Sequence, residues 1–187
     1  MIISFSGAIG SGKSTIAEML AKKLKMPRYY MGSIMREIAK QKNISFAELM
    51  ELNKTDPAVD YEVDEYQKKL GKTQDNFIVE GRTSYYFIPH SLKIFLDVDE
   101  KESARRVFND LKNKHRQNEA TAITNIEEMI NSIKHRKQSE IERYERYYGI
   151  DVYDYRNYDF VLNTTNLNID EVFAKVYKFV KGRLEKR

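Results

Sequence analysis

Eight residues near the N-terminus, Gly7-Ala-Ile-Gly-Ser-Gly-Lys-Ser14, constrain this chain more than any other stretch. They follow a short apolar run, Ile2-Ile-Ser-Phe-Ser6, that reads as a buried strand. Beyond them the apolar period changes: Ile16, Met19, Leu20 and Leu24 fall on one helical face. That helix must end before Pro27, whose ring disfavours helical backbone in the residue ahead of it. Strand, glycine turn and helix, in that order, open a parallel α/β fold. The spelling G-x-x-x-x-G-K-[ST] adds chemistry to the geometry. Glycines let consecutive backbone N–H groups along Gly7, Ala8, Ile9, Gly10, Ser11 and Gly12 wrap phosphate oxygens, with Thr15 following in the first helical turn. Lys13 is placed to reach the outer phosphates and the Ser14 hydroxyl to hold Mg²⁺. A nucleoside triphosphate site is therefore expected here.

The rest of the chain continues the alternation. Arg28-Tyr-Tyr-Met31, Phe77-Ile-Val79, Leu92-Lys-Ile-Phe-Leu-Asp-Val98 and Asp159-Phe-Val-Leu162 are the further strand candidates. Gly32-Ser33 can cap a helix running to about Gln41, Ser45-x-x-Glu48 spells a capping box, and Asp56-Pro57 starts another helix. In that last helix Val59, Val63, Tyr66 and Leu70 form an apolar stripe ending at Gly71. Three more helices are expected near residues 99–111, 125–148 and 169–186, the middle one opening at a Thr124-x-x-Glu127 capping box. Lys112 to Thr124 is polar and patternless, which suits an exposed mobile loop. The pattern predicts a doubly wound parallel sheet with helices on both faces.

Composition removes several alternatives. A chain of 187 residues predicts one compact domain. No window approaches the ~20 apolar residues of a membrane span, and no signal-peptide pattern precedes Lys13, so a soluble, cytoplasmic protein is expected. Zero cysteines exclude disulfides, thiolate zinc sites and cysteine nucleophiles, and His90, His115 and His135 are too scattered to suggest a metal cluster. A net charge of +4 is mild, and Lys112-Asn-Lys-His-Arg116 reads as a solvated loop, so nucleic acid is not an expected partner. Asn53-Lys54-Thr55-Asp56 has the spelling of a guanine-reading motif but precedes the third strand, whereas a base-reading loop should follow a late one.

Several charged residues stand where an anion would be useful. Arg36 is expected in the first turn of its helix, where the macrodipole disfavours a cation unless an anion is near. Val79-Glu-Gly-Arg82 closes a parallel strand, the edge where open α/β sheets place ligands. There Glu80 could hold Mg²⁺ through water and Arg82 an acceptor phosphate, or either could be a surface ion-pair partner. Arg136 and Arg143, two helical turns apart, share a face and could close over transferring phosphates. The alternative is a side-chain ladder with Glu140. Asp60 and Asp64 also share a face, and read either as hydrogen-bond acceptors for a base or ribose or as a solvated acidic surface.

Together these pieces resemble the cytidylate kinase family, particularly its short archaeal-type branch. They are the phosphate loop, Met31-Gly-Ser-Ile-Met-Arg-Glu-Ile-Ala39, Asp60-x-x-x-Asp64, Val79-Glu-Gly-Arg82, Arg136 with Arg143, and Tyr147-Tyr-Gly-Ile-Asp151 ahead of Tyr158-Asp-Phe-Val-Leu-Asn-Thr164. The resemblance implies a three-layer P-loop fold over residues 1–187 with a central parallel sheet of about five strands. It further implies a helical monophosphate-binding segment near 33–72 and a lid near 106–143. The implied activity is ATP-dependent phosphorylation of CMP or dCMP with Mg²⁺, by a monomer. By family pattern, Arg36 and Arg82 hold the acceptor monophosphate, Arg106 lies against the ATP adenine, and Arg136 and Arg143 join Lys13 at the transferring phosphates. Two departures stand out: Ser139 replaces an arginine that some members carry, and Ala8-Ile9 stands where Pro-Ala is frequent. The alternatives are a kinase for AMP, UMP or a hydroxyl acceptor, the last needing a base such as Asp60 or Asp64, and a non-catalytic nucleotide-dependent RNA-binding module.

Overall fold

The computed structural model describes residues 1–53, 55, 56, 58–112 and 123–185. Lys54, Pro57, residues 113–122 and the last two residues lie outside that set. So, therefore, do parts of the Asn53–Asp56 motif and of the Asp56-Pro57 helix start, most of the expected 112–124 loop with His115 and the basic run, and the end of the 169–186 helix.

In chain order the elements are β1 (Ile2–Gly7), α1 (Lys13–Leu24), β2 (Arg28–Tyr30), α2 (Met31–Gln41), α3 (Phe46–Leu52), α4 (Ala58–Thr73) and β3 (Phe77–Glu80). Then come α5 (Ser84–Phe87), β4 (Leu92–Asp97), α6 (Glu100–Lys112), α7 (Ile126–Tyr148), β5 (Phe160–Asn163) and α8 (Ile169–Leu184). The five strands form one sheet in the order β2-β3-β1-β4-β5, with every pairing parallel. Each strand expected from the sequence is present, and the short α5 is an addition to the expected helices.

Alternation along the strands builds a layer on each face. Ile3 and Phe5 of β1 and Ile78 of β3 pack with Ile16, Ala17 and Leu20 of α1 and Val172, Val176 and Val180 of α8. Their sequence neighbours Ile2, Phe77 and Val79 face the other way, onto Ile38 of α2, Leu49 of α3, and Val63 and Leu70 of α4. A third cluster joins the glycine loop to two helices: Ile9 packs with Ala104, Val107 and Phe108 of α6 and with Met129 and Ile133 of α7. No helix among the described residues is long and apolar enough to cross a membrane.

Local differences from the sequence reading have physical causes. α2 starts directly after β2 at Met31, and the Ser33 hydroxyl donates to the Tyr30 carbonyl at 2.6 Å instead of capping the helix. Arg36 accordingly sits in the second turn, where the macrodipole conflict is weaker. α7 is capped one residue later than Thr124: the Asn125 side chain accepts the Glu128 N–H at 2.9 Å, and the Glu128 carboxylate reaches back to the Thr124 N–H at 2.7 Å. Asn caps at least as well as Thr, which permits the shift. The Ser45/Glu48 capping box forms as expected, with bonds of 3.1 and 2.7 Å. In α4, Val63 and Leu70 are buried but Tyr66 is 39% exposed, so the apolar stripe is narrower than its spacing suggests. The Val59 side chain is outside the described set.

Gly7 and Gly12 carry different constraints. Gly7 has φ +149°, and a Cβ built there would lie 2.2 Å from the Leu96 carbonyl oxygen of β4. Gly12 has φ +83° but nothing within 4 Å of such a Cβ. Gly7→Ala should therefore lose about 3 kcal/mol or more of stability, since backbone rather than a side chain must move. Gly12→Ala should lose only about 1–2 kcal/mol, the usual cost of a left-handed non-glycine residue. Equal losses in urea melts of the two variants would contradict this assignment.

Candidate active site

The carboxyl ends of β1, β3 and β4 meet at the glycine loop, and the surroundings of that loop fix which way its peptides face. Five consecutive carbonyls accept side-chain donors. Gly7 O takes Arg82 Nη1, and Ala8 O takes Ser11 Oγ at 2.8 Å and Lys13 Nζ at 3.3 Å. Ile9 O takes Ser103 Oγ at 2.7 Å, Gly10 O takes Arg106 Nη1 at 3.4 Å, and Ser11 O takes Thr164 Oγ1 at 3.2 Å. With these carbonyls held, and with the Ala8 and Ser11 N–H groups donating to the Leu96 and Ala8 carbonyls, the loop is fixed as a glycine-rich turn of the kind that binds anions.

Ser14 is the second residue of α1, and its hydroxyl donates to Glu80 Oε1 at 2.5 Å. Glu80 ends β3, is fully buried, and takes Arg28 Nη2 at 2.7 Å through its other oxygen. A hydroxyl and a carboxylate side by side are hard oxygen donors of the kind Mg²⁺ uses alongside phosphate and water. Among the described residues there is no group of three or more His, Cys, Asp or Glu that could hold a metal alone. Beside this pair the Lys13 ammonium is pulled down to about 7: burial strips its hydration and Arg82 repels it, while Glu80 only partly offsets them.

A cavity of about 580 Å³ opens next to the loop, lined by Lys13 and Ser14 on one side and by α2, α4 and α7 on the others. The cations Lys13, Arg36, Arg82, Arg136 and Arg143 and the carboxylates of Asp60, Asp64, Glu80 and Glu140 all line it, an excess of one cation. Arg36 donates to the Tyr30 hydroxyl at 3.0 Å, with its guanidinium 5.1 Å from the Phe46 ring centre. Gly32 permits this, because a Cβ there would meet the Tyr30 ring at 2.6 Å. Arg82 donates to Glu140 at 2.7 Å, and Arg136 approaches the same carboxylate at 3.4 Å. The Glu140 carboxyl is held at about 2: burial alone would raise it, but Arg82, Arg136 and the Tyr153 hydroxyl outweigh that. The helical ladder considered for Arg136 is thus real but incomplete, since its carboxylate also serves an arginine 58 positions away. Arg143 pairs elsewhere, with Asp60.

Asp60 and Asp64 are both only 3% exposed, so the solvated acidic face is excluded. Their surroundings differ. Asp64 Oδ1 accepts Gln67 Nε2 and Thr83 Oγ1, each at 2.9 Å, and its Oδ2 accepts the Tyr148 hydroxyl. Gln67 is itself completed by a 2.5 Å bond from Ser84. Burial still raises Asp64 to about 6, against the bonds from Tyr148 and Thr83. Asp60 is raised as well, by burial, with Arg143 opposing. Arg143 Nε lies 3.1 Å from Asp60 Oδ2, yet neither atom makes a hydrogen bond. The N–H is not aimed at the oxygen, so the pair is Coulombic and leaves a donor and an acceptor unspent in the cavity wall.

On the far side of the loop a second cavity, of about 750 Å³, is lined by residues 10–16, by Arg106 of α6, by Thr165 and by residues 167–170. Arg106 is fastened there to Glu102 at 2.8 Å and to the Thr164 carbonyl at 2.8 Å. The structure thus gathers Lys13, Ser14, Glu80, Arg36, Arg82, Arg136, Arg143, Asp60 and Asp64 around one cavity and sets Arg106 beside the other. Sequence reasoning missed Arg28, Tyr30, Phe46, Gln67, Thr83 and Tyr153 and saw Glu140 only as a ladder rung. Tyr148 was visible only as part of a motif. Most of these contacts join residues 13 to 84 positions apart, which no local spacing reports; Gln67 with Asp64 and Tyr30 with Arg36 are near in sequence, but apolar periodicity does not signal polar pairs.

Known proteins resemble this chain over nearly all of its length. A family model described as the cytidylate kinase-like family matches residues 2–166. A cytidylate kinase of Methanocorpusculum labreanum is 32% identical over 187 residues, covering 100% of this chain and 99% of that one. One of Methanobrevibacter smithii is 33% identical over 172 residues, covering 92% and 94%. Among solved structures, an uncharacterized protein from Eubacterium ventriosum superposes with a TM-score of 0.70 at 17% identity, covering 97% of this chain and 98% of that one. Shikimate kinase from Bacteroides thetaiotaomicron superposes at 0.64 with 16% identity, covering 99% and 98%. At those identities the superpositions establish the fold, a P-loop α/β fold with a central parallel sheet.

The raised Asp64 carboxyl has a consequence for stability. A folded value near 6 against an ordinary 3.8 means that ionising Asp64 costs the native state, increasingly as pH rises through that window. Asp64→Asn should therefore melt above the wild type at pH 8, by at most about 3 kcal/mol, and lose that advantage below about pH 4. A pH-independent difference in melting temperature would show that burial does not control this group.

Proposed function

This chain belongs to the cytidylate kinase-like family, and on that premise we propose that it transfers the γ-phosphoryl group of ATP to CMP or dCMP. As a member of that family it is a nucleoside monophosphate kinase. The observation that carries the proposal is the arginine-lined cavity beside Lys13 and Ser14, with two buried aspartates on its α4 wall.

The acceptor monophosphate binds in that cavity, its phosphate on Arg36 and Arg82 and its base or ribose toward Asp60 and Asp64. ATP lies along the glycine loop with its adenosine in the second cavity near Arg106. An acceptor phosphate oxygen attacks the γ phosphorus as the bond to the β–γ bridging oxygen breaks, giving a nucleoside diphosphate and ADP. The acceptor is already an anion at neutral pH, so no general base is required. Lys13, Arg82, Arg136 and Arg143 align the reactants and meet the charge spread over the transferring oxygens. Mg²⁺ would be held by Ser14 directly and by Glu80 through water, and supplies charge neutralisation at the donor phosphates. Residues 33–72 serve as the monophosphate-binding segment and 106–143, of which 113–122 lie outside the described residues, as a lid whose closure excludes water.

An ADP-release assay with ATP, Mg²⁺ and CMP, dCMP, UMP, AMP or GMP tests the acceptor. Turnover confined to CMP and dCMP is expected. Preference for another monophosphate would replace the substrate, and ATP binding without transfer to any of the five would remove the reaction. Lys13 offers a second test through its value of about 7. Phosphates beside it favour the protonated form, so ATP binding at pH 8 should take up about one proton, vanishing below pH 6. Calorimetry in buffers of different ionisation enthalpy reads that uptake, and Lys13→Met should abolish it.

A further inference from the structure

Glu140 lies one helical turn beyond Arg136, where a sequence shows only a rung on α7. In the structure Glu140 is 7% exposed and its carboxylate takes three donors, one from its own helix and two from elsewhere in the chain. Arg82 Nε and the Tyr153 hydroxyl share Oε2 at 2.7 and 2.6 Å, and Arg136 Nε approaches Oε1 at 3.4 Å. Arg82 is thereby fixed at both ends of its fork, since its Nη1 donates to the Gly7 carbonyl. Tyr153 is placed in turn by Asp151, whose Oδ1 accepts the Tyr153 N–H at 2.8 Å, and its ring stands 5.8 Å from the Arg82 guanidinium and 4.9 Å from Lys137 Nζ. The segment after α7 therefore braces Glu140 from outside the cavity. Lys13, Arg82 and Arg136 line the same cavity. Three cations around one cavity repel unless an anion stands among them.

We propose that Glu140, braced by Tyr153, is a positioning residue for phosphoryl transfer: it orients the Arg82 and Arg136 guanidiniums and supplies the counter-charge that lets them stand together beside Lys13 before an anionic substrate arrives. This rests on the reading of Arg82 and Arg136 as phosphate-binding groups. A site neutralised from within holds stray anions weakly, while a correctly placed phosphate still meets two guanidiniums already aimed at it. Removing the carboxylate should then have opposite effects on binding and on turnover, which loss of packing alone would not produce.

Glu140→Gln keeps the shape and removes the charge. Its kcat should fall about 100-fold, the scale of a misplaced catalytic group. The KM for ATP should stay near the wild-type value, and inorganic sulfate, competing with the acceptor, should inhibit about tenfold more tightly, as expected for arginines relieved of an internal anion. Tyr153→Phe leaves the carboxylate but removes its brace, so kcat should fall about tenfold with little change in sulfate inhibition. Wild-type kcat in either variant, or unchanged sulfate inhibition in Glu140→Gln, overturns the proposal; if Glu140→Gln does not fold, the Tyr153→Phe kcat decides alone. Arg82→Ala separates this from the underlying reading: an acceptor KM unaffected by that change would remove Arg82 from the phosphate site, whatever Glu140 does.

Discussion

The structure turns on where the carbonyls of the glycine loop go. A buried peptide carbonyl must find a donor, and this loop supplies its own only at Ala8. Here Arg82, Ser11 with Lys13, Ser103, Arg106 and Thr164 take the carbonyls from Gly7 to Ser11 in turn. The donors outside the loop come from beyond β3, from α6 and from beyond β5, so the loop is right only when the order β3-β1-β4-β5 is right. The same bonds explain why Arg82 and Arg106 are doubly committed. Each holds the loop with Nη1 and a second partner with its other nitrogens, Glu140 for Arg82 and Glu102 with Thr164 for Arg106, a use that suits arginine's planar donors better than a lysine ammonium.

Charge is distributed around the first cavity by the same economy. Arg143 stands against Asp60, Arg82 and Arg136 share Glu140, and Glu80 is held by Arg28 from behind. In each pair the carboxylate is buried deeply enough that it would not be tolerated without its cation. Coulombic balance rather than hydrogen bonding accounts for the Asp60–Arg143 contact, and this sets Asp60 apart from Asp64. Three donors from Gln67, Thr83 and Tyr148 occupy Asp64, which makes it a structural knot between α4, the end of β3 and the end of α7.

What could be read in the sequence follows from how far apart the interacting residues are. The strand and helix order was legible because burial on a sheet or helix face repeats at short periods, and the loop because its chemistry is contiguous. The strands at 28–30 and 160–163 emerged despite their shortness because turns and helices bracket them. The site was legible as a list of arginines and carboxylates but not as pairs. That Asp60 answers Arg143, or that Glu140 answers Arg82, depends on α4, α7 and the end of β3 converging, a property of packing without a local signal. The misplacement of the α7 cap by one residue is of another kind. Thr124-Asn125 followed by Glu127-Glu128 offers two overlapping capping boxes of similar strength, and only the seating of Met129 and Ile133 against α6 chooses between them.

That choice reaches further than the cap. α7 meets three environments along one face: Met129 and Ile133 on α6 and the glycine loop, then Arg136, Glu140 and Arg143 at the cavity, then Tyr144 and Tyr148 against the aromatic cluster with Tyr85 and Val152. Because the helix is continuous, rotating it to improve any one contact moves the other two. A one-residue shift turns a helix by about 100° and would carry both arginines out of the cavity. Ile9, which belongs to the loop and yet packs with Met129 and Ile133, is therefore the point at which phosphate loop and arginine helix fix each other. An isoleucine there gives the α6–α7 pair an apolar anchor inside the loop itself.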